Sequence, residues 1–276
     1  MLISHFGLRA LPFSKEIGAA SLYATPGHQE LLARLQFLIR QRAFGLVTGE
    51  VGSGKSSAVR ALHDLLDRTV YPFLYIADSS LTPKAFYREV LEQFGVQVPF
   101  HARQVRHRYE EVVLEGYHRD GRQPVLVLDE AHLLSEPMLQ EIRFLMNFHM
   151  DSVAPLSLIL VGQPELRSKL RLKAFEAVVQ RIQVRYHLGG LSESEVAGYV
   201  EHQLRQVGAE RPIFAEQAVR SIAIHSRGLP RQINNLCTAC LWDASARGQR
   251  FVEETNVQRV LAESHESDRP AVGSPW

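Results

Sequence analysis

Phe44-Gly45-Leu46-Val47-Thr48-Gly49-Glu50-Val51-Gly52-Ser53-Gly54-Lys55-Ser56-Ser57 is a short apolar run, then a glycine-rich turn, then the start of a helical pattern. It satisfies G-x-x-x-x-G-K-[ST] at every fixed position, through Gly49, Gly54, Lys55 and Ser56. The strand-turn-helix setting is what the chemistry needs. Glycines let backbone N–H groups turn inward around a phosphate, and the helix N-terminus adds positive potential. Lys55 is expected to reach the β- and γ-phosphates of ATP, and the Ser56 hydroxyl to ligate Mg²⁺. Gly49, Glu50, Val51, Gly52, Ser53, Gly54, Lys55, Ser56 and Ser57 are therefore the candidate nucleotide-binding residues. The bland alternative is an accidental glycine-rich turn.

About 75 residues downstream, Val125-Leu126-Val127-Leu128-Asp129-Glu130 delivers two carboxylates at the end of a second apolar strand. Asp129 is the candidate for the metal side and Glu130 the candidate base that polarises water. An acidic pair after a strand is weak alone and gains its force from the upstream loop. Otherwise the two would be a solvated strand end.

Outward from these motifs, strands alternate with helices. Phe44–Thr48, Phe73–Ala77, Pro124–Leu128 and Leu156–Val161 read as strands. Helices are expected over 27–42, 55–67, 83–94, 109–119 and 136–150, with 96–107 a polar, basic loop and 1–24 an irregular leader. This order predicts a parallel sheet with helices on both faces. After Leu188 the strand pattern stops. Ser192-Glu193-Ser194-Glu195 is a capping box, and helices follow at 193–207, 215–226, 230–247 and 255–264. The fold class is α/β: a P-loop nucleotide-binding domain over 1–188, a small all-α lid domain over 189–266 and a flexible tail over 267–276.

The chain has 276 residues, 45% hydrophobic and 22% charged, which is globular and excludes disordered or collagen-like classes. Lys+Arg is 31 against Asp+Glu 30, so any nucleic-acid surface must be local. Two cysteines make no disulfide framework and point to a reducing, cytoplasmic setting. No apolar run approaches a membrane span, and the N-terminus lacks the pattern of a signal peptide.

Together these residues resemble the AAA+ ATPases, and within them the ExeA-type group. The resemblance runs from Phe6-Gly7-Leu8 and Pro12-Phe13 through Asp129-Glu130-Ala131-His132 and Gly162-Gln163-Pro164-Glu165-Leu166 to Gly228-Leu229-Pro230-Arg231. It implies that Gln163 is the sensor-1 residue orienting the attacking water. It implies that Arg181, in Gln180-Arg181-Ile182, enters a neighbouring subunit's site as an arginine finger, with Arg185 the competitor. It implies that Arg231 is the sensor-2 residue at the start of a lid helix. From spacing alone, Arg181 or Arg231 could equally make a surface salt bridge. An arginine acting in trans implies a homo-oligomer, a ring or helical filament, that hydrolyses ATP at subunit interfaces while the lid closes on nucleotide.

The ExeA-type group has a branch serving secretion or pilus assembly, whose members carry a membrane span and a peptidoglycan-binding region after the ATPase core. It also has stand-alone ATPases similar in role to the transposition regulators TnsC, IstB and MuB. The chain stops soon after its last expected helix, and Pro12-Phe13-Ser14-Lys15-Glu16-Ile17 looks like the stand-alone branch. That resemblance implies assembly on double-stranded DNA and recruitment of a transposase, with no membrane association. The alternatives are an ExeA-like ATPase acting on a protein partner in secretion or type IV pilus assembly, and a clamp-loader-like or replication-initiator-like switch.

Local charge bears on the DNA reading. Residues 166–187 hold Arg167, Lys169, Arg171, Lys173, Arg181 and Arg185 against Glu176 alone, and 101–108 hold Arg103, Arg106 and Arg108 with no acid. Lys84, Arg88, Arg103, Arg106, Lys169 and Lys173 are the candidate DNA contacts, directed at phosphates rather than bases. They could equally be solvated faces. Asp129-Glu130-Ala131-His132 spells the box of a helicase class, but such helicases need two RecA-like domains, and His132 reads as a coupling or packing residue. Cys237 and Cys240 lack partners spaced for zinc and read as small apolar side chains.

Overall fold

A computed structural model describes residues 2–14, 23–78 and 80–267. The expected tail falls outside the described residues from position 268 onward, as do Lys15, Glu16 and Ile17. The chain divides into two compact units. One comprises Pro26–Glu50 and Lys55–Leu188; the other comprises the described residues of Met1–Thr25, Val51–Gly54 and Gly189–Trp276.

The first unit is a five-stranded sheet. Its strands are β1 (Phe44–Gly49), β2 (Phe73–Ile76), β3 (Val125–Leu128), β4 (Ser157–Gly162) and β5 (Ile182–Leu188). They lie in the order β2-β3-β4-β1-β5, and every pairing is parallel. β1, β3 and β4 are buried along their whole length, as expected of parallel strands covered on both faces. Alternation divides their side chains. Val47, Val125, Val127, Ile159 and Val161 join a core with α2 (Pro26–Arg40) and α3 (Lys55–Leu65). Leu46, Leu126, Leu128, Leu158 and Leu160 join the opposite core. That core is closed by α4 (Pro83–Gln93), α5 (Ala102–Asp120), α6 (Glu136–Leu145), α7 (Glu165–Leu170) and α8 (Glu176–Val179).

Helix starts follow local chemistry. Thr82 accepts from the Ala85 N–H and Ser135 from the Met138 N–H, each with proline in the first turn behind it. Two of the expected helices have clearly different bounds, and the short α7 and α8 lie outside the expected ones. α5 begins at Ala102, inside the stretch read as a loop, because Val105, Tyr109 and Val113 form a buried stripe at four-residue spacing. α6 ends at Leu145 rather than near Met150, and a turn follows in which His149, Met150 and Asp151 take φ of 48°, 55° and 70°. Three successive left-handed residues without glycine are rare and strained.

The second unit is helical: α9 (Glu193–Gln206), α10 (Glu216–Ser226), α11 (Pro230–Ala246) and α12 (Glu254–Ser267), with α1 (Leu2–Phe6). The capping box at Ser192 and Glu195 is formed. The leader is more than an irregular entry: Leu2, Leu8 and Phe13 are buried in this unit's core beside Val196, Ile222, Cys237 and Leu241. Cys237 and Cys240 are free thiols, both fully buried. Burial pushes both thiols up, that of Cys240 to about 12, so neither ionises readily. Asp243 on α11 binds Arg247, Arg259 and the Asn256 amide, tying α11 to α12. Among the described residues, no helix is long and apolar enough to cross a membrane.

Candidate nucleotide site

The sheet order places three strand ends side by side. β4 lies between β1, which leads into the glycine-rich loop, and β3, which leads into Asp129. Thr48 is in register with Gly162, and Leu160 with Leu128. Ligands of open α/β sheets bind at such carboxyl ends.

In the loop, Gly52 and Gly54 take φ of 80° and 102°, a region open to glycine at no steric cost. A Cβ at Gly52 would also stand 2.5 Å from the Cβ of Arg231, whose backbone N–H donates to the Gly52 carbonyl at 3.2 Å. Lys55 is only 8% exposed, and its ammonium donates to the carbonyls of Gly49 at 2.7 Å and Glu50 at 2.9 Å. The Ser53 hydroxyl is buried without a hydrogen-bond partner among the described residues. An orphaned polar atom in a loop that opens a helix fits an anionic ligand. Glu50, Val51 and Ser56 are exposed, and Ser57 is half-buried.

Asp129 is 4% exposed and holds three donors. The Glu130 N–H donates to Oδ1 at 2.8 Å; the Tyr75 hydroxyl at 2.6 Å and the Ser56 hydroxyl at 3.3 Å donate to Oδ2. Thus Ser56 and Asp129, assigned to the metal from sequence, are brought together. Their hard oxygens fit Mg²⁺. No group of three or more His, Cys, Asp or Glu among the described residues could hold a metal by itself. An ion held by Ser56 and Asp129 would need further oxygen ligands besides these two.

Glu130 sits at φ 49°, ψ 32°, a left-handed position that turns the chain into the 3₁₀ turn Ala131–Leu133. Its carboxylate stands 3.5 Å from Nδ1 of His132, whose side chain is 10% exposed. The same Nδ1 accepts from the Gln163 N–H at 3.5 Å, so His132 bridges the ends of β3 and β4. Tyr75 escaped the sequence reading. Its phenol is pushed well above its ordinary value by burial, then by its hydrogen bond to Asp129, so it is a proton donor throughout the working range. The signal for it was only a hydroxyl-bearing residue on the strand beside Asp129's.

Apart from Arg231, whose backbone meets Gly52, the remaining candidates make their contacts elsewhere or are exposed. Arg181 makes a bidentate pair with Asp151, at 3.0 Å on both arms. Arg185 donates to the Val179 carbonyl at 2.8 Å. Arg231 is exposed at the start of α11. Of the six DNA candidates, three have partners within the chain. Arg106 contacts Glu110 at 3.2 Å and Glu141 at 3.4 Å and stacks over Phe144; Lys169 donates to the Leu134 carbonyl at 2.5 Å; Arg88 donates to the Pro99 carbonyl at 3.4 Å. Lys84, Arg103 and Lys173 are exposed.

Residues 39–170 match the AAA domain family. The chain is also 34% identical to General secretion pathway protein A of Aeromonas hydrophila over 267 residues, which is 95% of the chain and 48% of that protein. The chain thus spans about half the length of that relative. Among solved structures, Cdc6p from Pyrobaculum aerophilum aligns with a TM-score of 0.69 at 18% identity, over 91% of this chain and 70% of its own. Drosophila ORC bound to DNA aligns with a TM-score of 0.68 at 20% identity, over 96% and 65% respectively. At these identities the structures speak for the fold alone, a five-stranded parallel sheet between helices. The AAA domain match takes in the glycine-rich loop, Asp129, Glu130 and Gln163, while Arg181 and Arg231 lie beyond it.

Proposed function

We propose that the chain is an ATPase that works as a homo-oligomer, with Lys55 and the loop amides holding the phosphates and Ser56 and Asp129 holding Mg²⁺. The observation that carries this reading is the convergence of Ser56 on Asp129 at 3.3 Å, next in sequence to a Lys55 that rests on the carbonyls of Gly49 and Glu50. Those contacts occupy Lys55 until phosphate oxygens replace them. Mg²⁺, when bound, neutralises charge on the transferring phosphoryl group. Glu130 takes the proton of the attacking water, with Gln163 at the neighbouring strand end orienting that water. Arg181 of an adjacent copy adds positive charge to that of Lys55, as an arginine finger does. To do so it must exchange Asp151 for phosphate.

The AAA domain match supports hydrolysis of ATP. The 34% identity across 95% of the chain to General secretion pathway protein A supports a protein partner in a secretion process. A transposase partner rests on the sequence resemblance alone. DNA binding is the second reading, favoured by the exposed cations Lys84, Arg103 and Lys173 and by a fold shared with an ORC solved on DNA. Two thiols, rather than a disulfide, support a reducing, cytoplasmic setting.

Glu130→Gln tests the catalytic assignment. It is expected to bind ATP as the parent does and to lose about 10²–10⁴ in turnover; parental turnover would remove Glu130 as the base. Duplex binding measured against salt tests the second reading: contact through three phosphates gives a slope of log K on log salt near −3, and no binding at low salt would leave the protein-partner reading alone.

A further inference from the structure

We propose that Tyr75 is a positioning residue that sets the Asp129 carboxylate for its metal, an inference that rests on the ATPase reading above. β2 pairs with β3 so that Tyr75 lies opposite Val127, and opposed residues of parallel strands share a face. Val127 belongs to the α3 side of the sheet. The Asp129 N–H donates to the Ile76 carbonyl at 2.8 Å, which continues the ladder and keeps Asp129 on that face two residues on. Ser56, in the first turn of α3, stands on the same side. The register thus aims three side chains from three elements at one point.

At that point the two Asp129 oxygens are held differently. Oδ1 is fixed by the Glu130 amide of its own turn. Oδ2 has the Tyr75 hydroxyl at 2.6 Å and the Ser56 hydroxyl at 3.3 Å. The tyrosine makes the shorter contact, and it belongs to the sheet, whereas Ser56 is itself assigned to the metal. Removing the phenol leaves Oδ2 tied only by the longer contact, and the carboxylate is free to turn about its terminal torsion. Tyr75 is 42% exposed, so its hydroxyl could have been left to water; instead it points at a nearly buried carboxylate. Partners of ligating carboxylates orient them, and their loss typically weakens metal affinity about 10- to 100-fold.

The variant Tyr75→Phe keeps the ring and removes the donor. A fluorescent ATP analogue is titrated onto parent and variant in EDTA, then at rising Mg²⁺, with Mn²⁺ binding followed by electron paramagnetic resonance. The expected result is unchanged affinity in EDTA, an unchanged melting temperature, and a Mg²⁺ midpoint raised about tenfold. An unchanged Mg²⁺ midpoint, or equal weakening with and without Mg²⁺, overturns the assignment, the second outcome marking Tyr75 as structural only. A parent chain that binds no nucleotide in either condition overturns the ATPase reading and this one with it, so the two failures are told apart by the parent.

Discussion

Asp129 and Arg181 are both charged, and both are held by donors or acceptors of their own chain, but in opposite ways. Asp129 is nearly buried, and its three donors come from β2, α3 and its own turn. Nothing there needs to move for the carboxylate to be aimed. Arg181 is 30% exposed, paired with a single carboxylate that is 55% exposed, on a turn of three left-handed residues. Exposed pairs contribute about 0–1 kcal/mol, so this arginine can change partner at little cost. On the proposed reading the Asp129 cluster is a preorganised half-site, and the Arg181 pair is one that a neighbour's phosphate would displace.

That contrast is broken most sharply by Arg181→Ala. Turnover is expected to fall about 10³-fold or more while nucleotide affinity changes little, because an arginine acting in trans stabilises the transition state. ATPase rates at saturating ATP measure it; a parental rate would return Arg181 to the status of a surface ion pair.

A second test uses the helical unit, whose charged cluster is fixed rather than exchangeable. Partial burial would raise the Asp243 pKa, but hydrogen bonds from Arg259, Asn256 and Arg247 outweigh it and hold the group at about 2, below its ordinary 3.8. A depressed folded value means the stabilisation is complete above pH 4 and is lost as pH falls from about 4 to about 2. With solvent screening it is on the order of 1 kcal/mol. Thermal melts of Asp243→Asn against the parent measure it: the gap is expected to narrow as pH falls through that window. A constant gap would assign the cluster a packing role only.

The smallest expected effect is on Asp151→Asn. It frees Arg181 and removes an exposed pair, so stability should fall by less than about 1 kcal/mol. Turnover at limiting protein concentration should rise rather than fall. A fall would make Asp151 a guide for the arginine instead of a competitor.

How much of this was legible beforehand follows from the range of each interaction. The strand-turn-helix around the glycine-rich loop was readable because its pattern lies in adjacent residues, Gly49 to Ser56, at fixed spacing. The β3 carboxylates were readable because an apolar strand ending in two acids is a local pattern. Tyr75 was not, since its reach to Asp129 depends on a parallel register between strands separated by two helices. The Asp151–Arg181 pair was hidden for the same reason, its partners lying on either side of β4. The start of α5 was missed because Val105, Tyr109 and Val113 are few among polar and basic neighbours, and only their burial reveals a helix face. Charge counting likewise could not tell Arg106, which stacks on Phe144 and contacts Glu110, from the exposed Arg103.

One mixing experiment puts the in-trans arrangement at risk. Lys55→Ala and Arg181→Ala chains, each nearly inactive alone, are combined in equal amounts and assayed for ATP hydrolysis. In the mixture, an intact loop on the Arg181→Ala copy can face an intact arginine on the Lys55→Ala copy. The predicted result is turnover well above the sum of the two separate proteins. Turnover no greater than that sum would contradict the shared site.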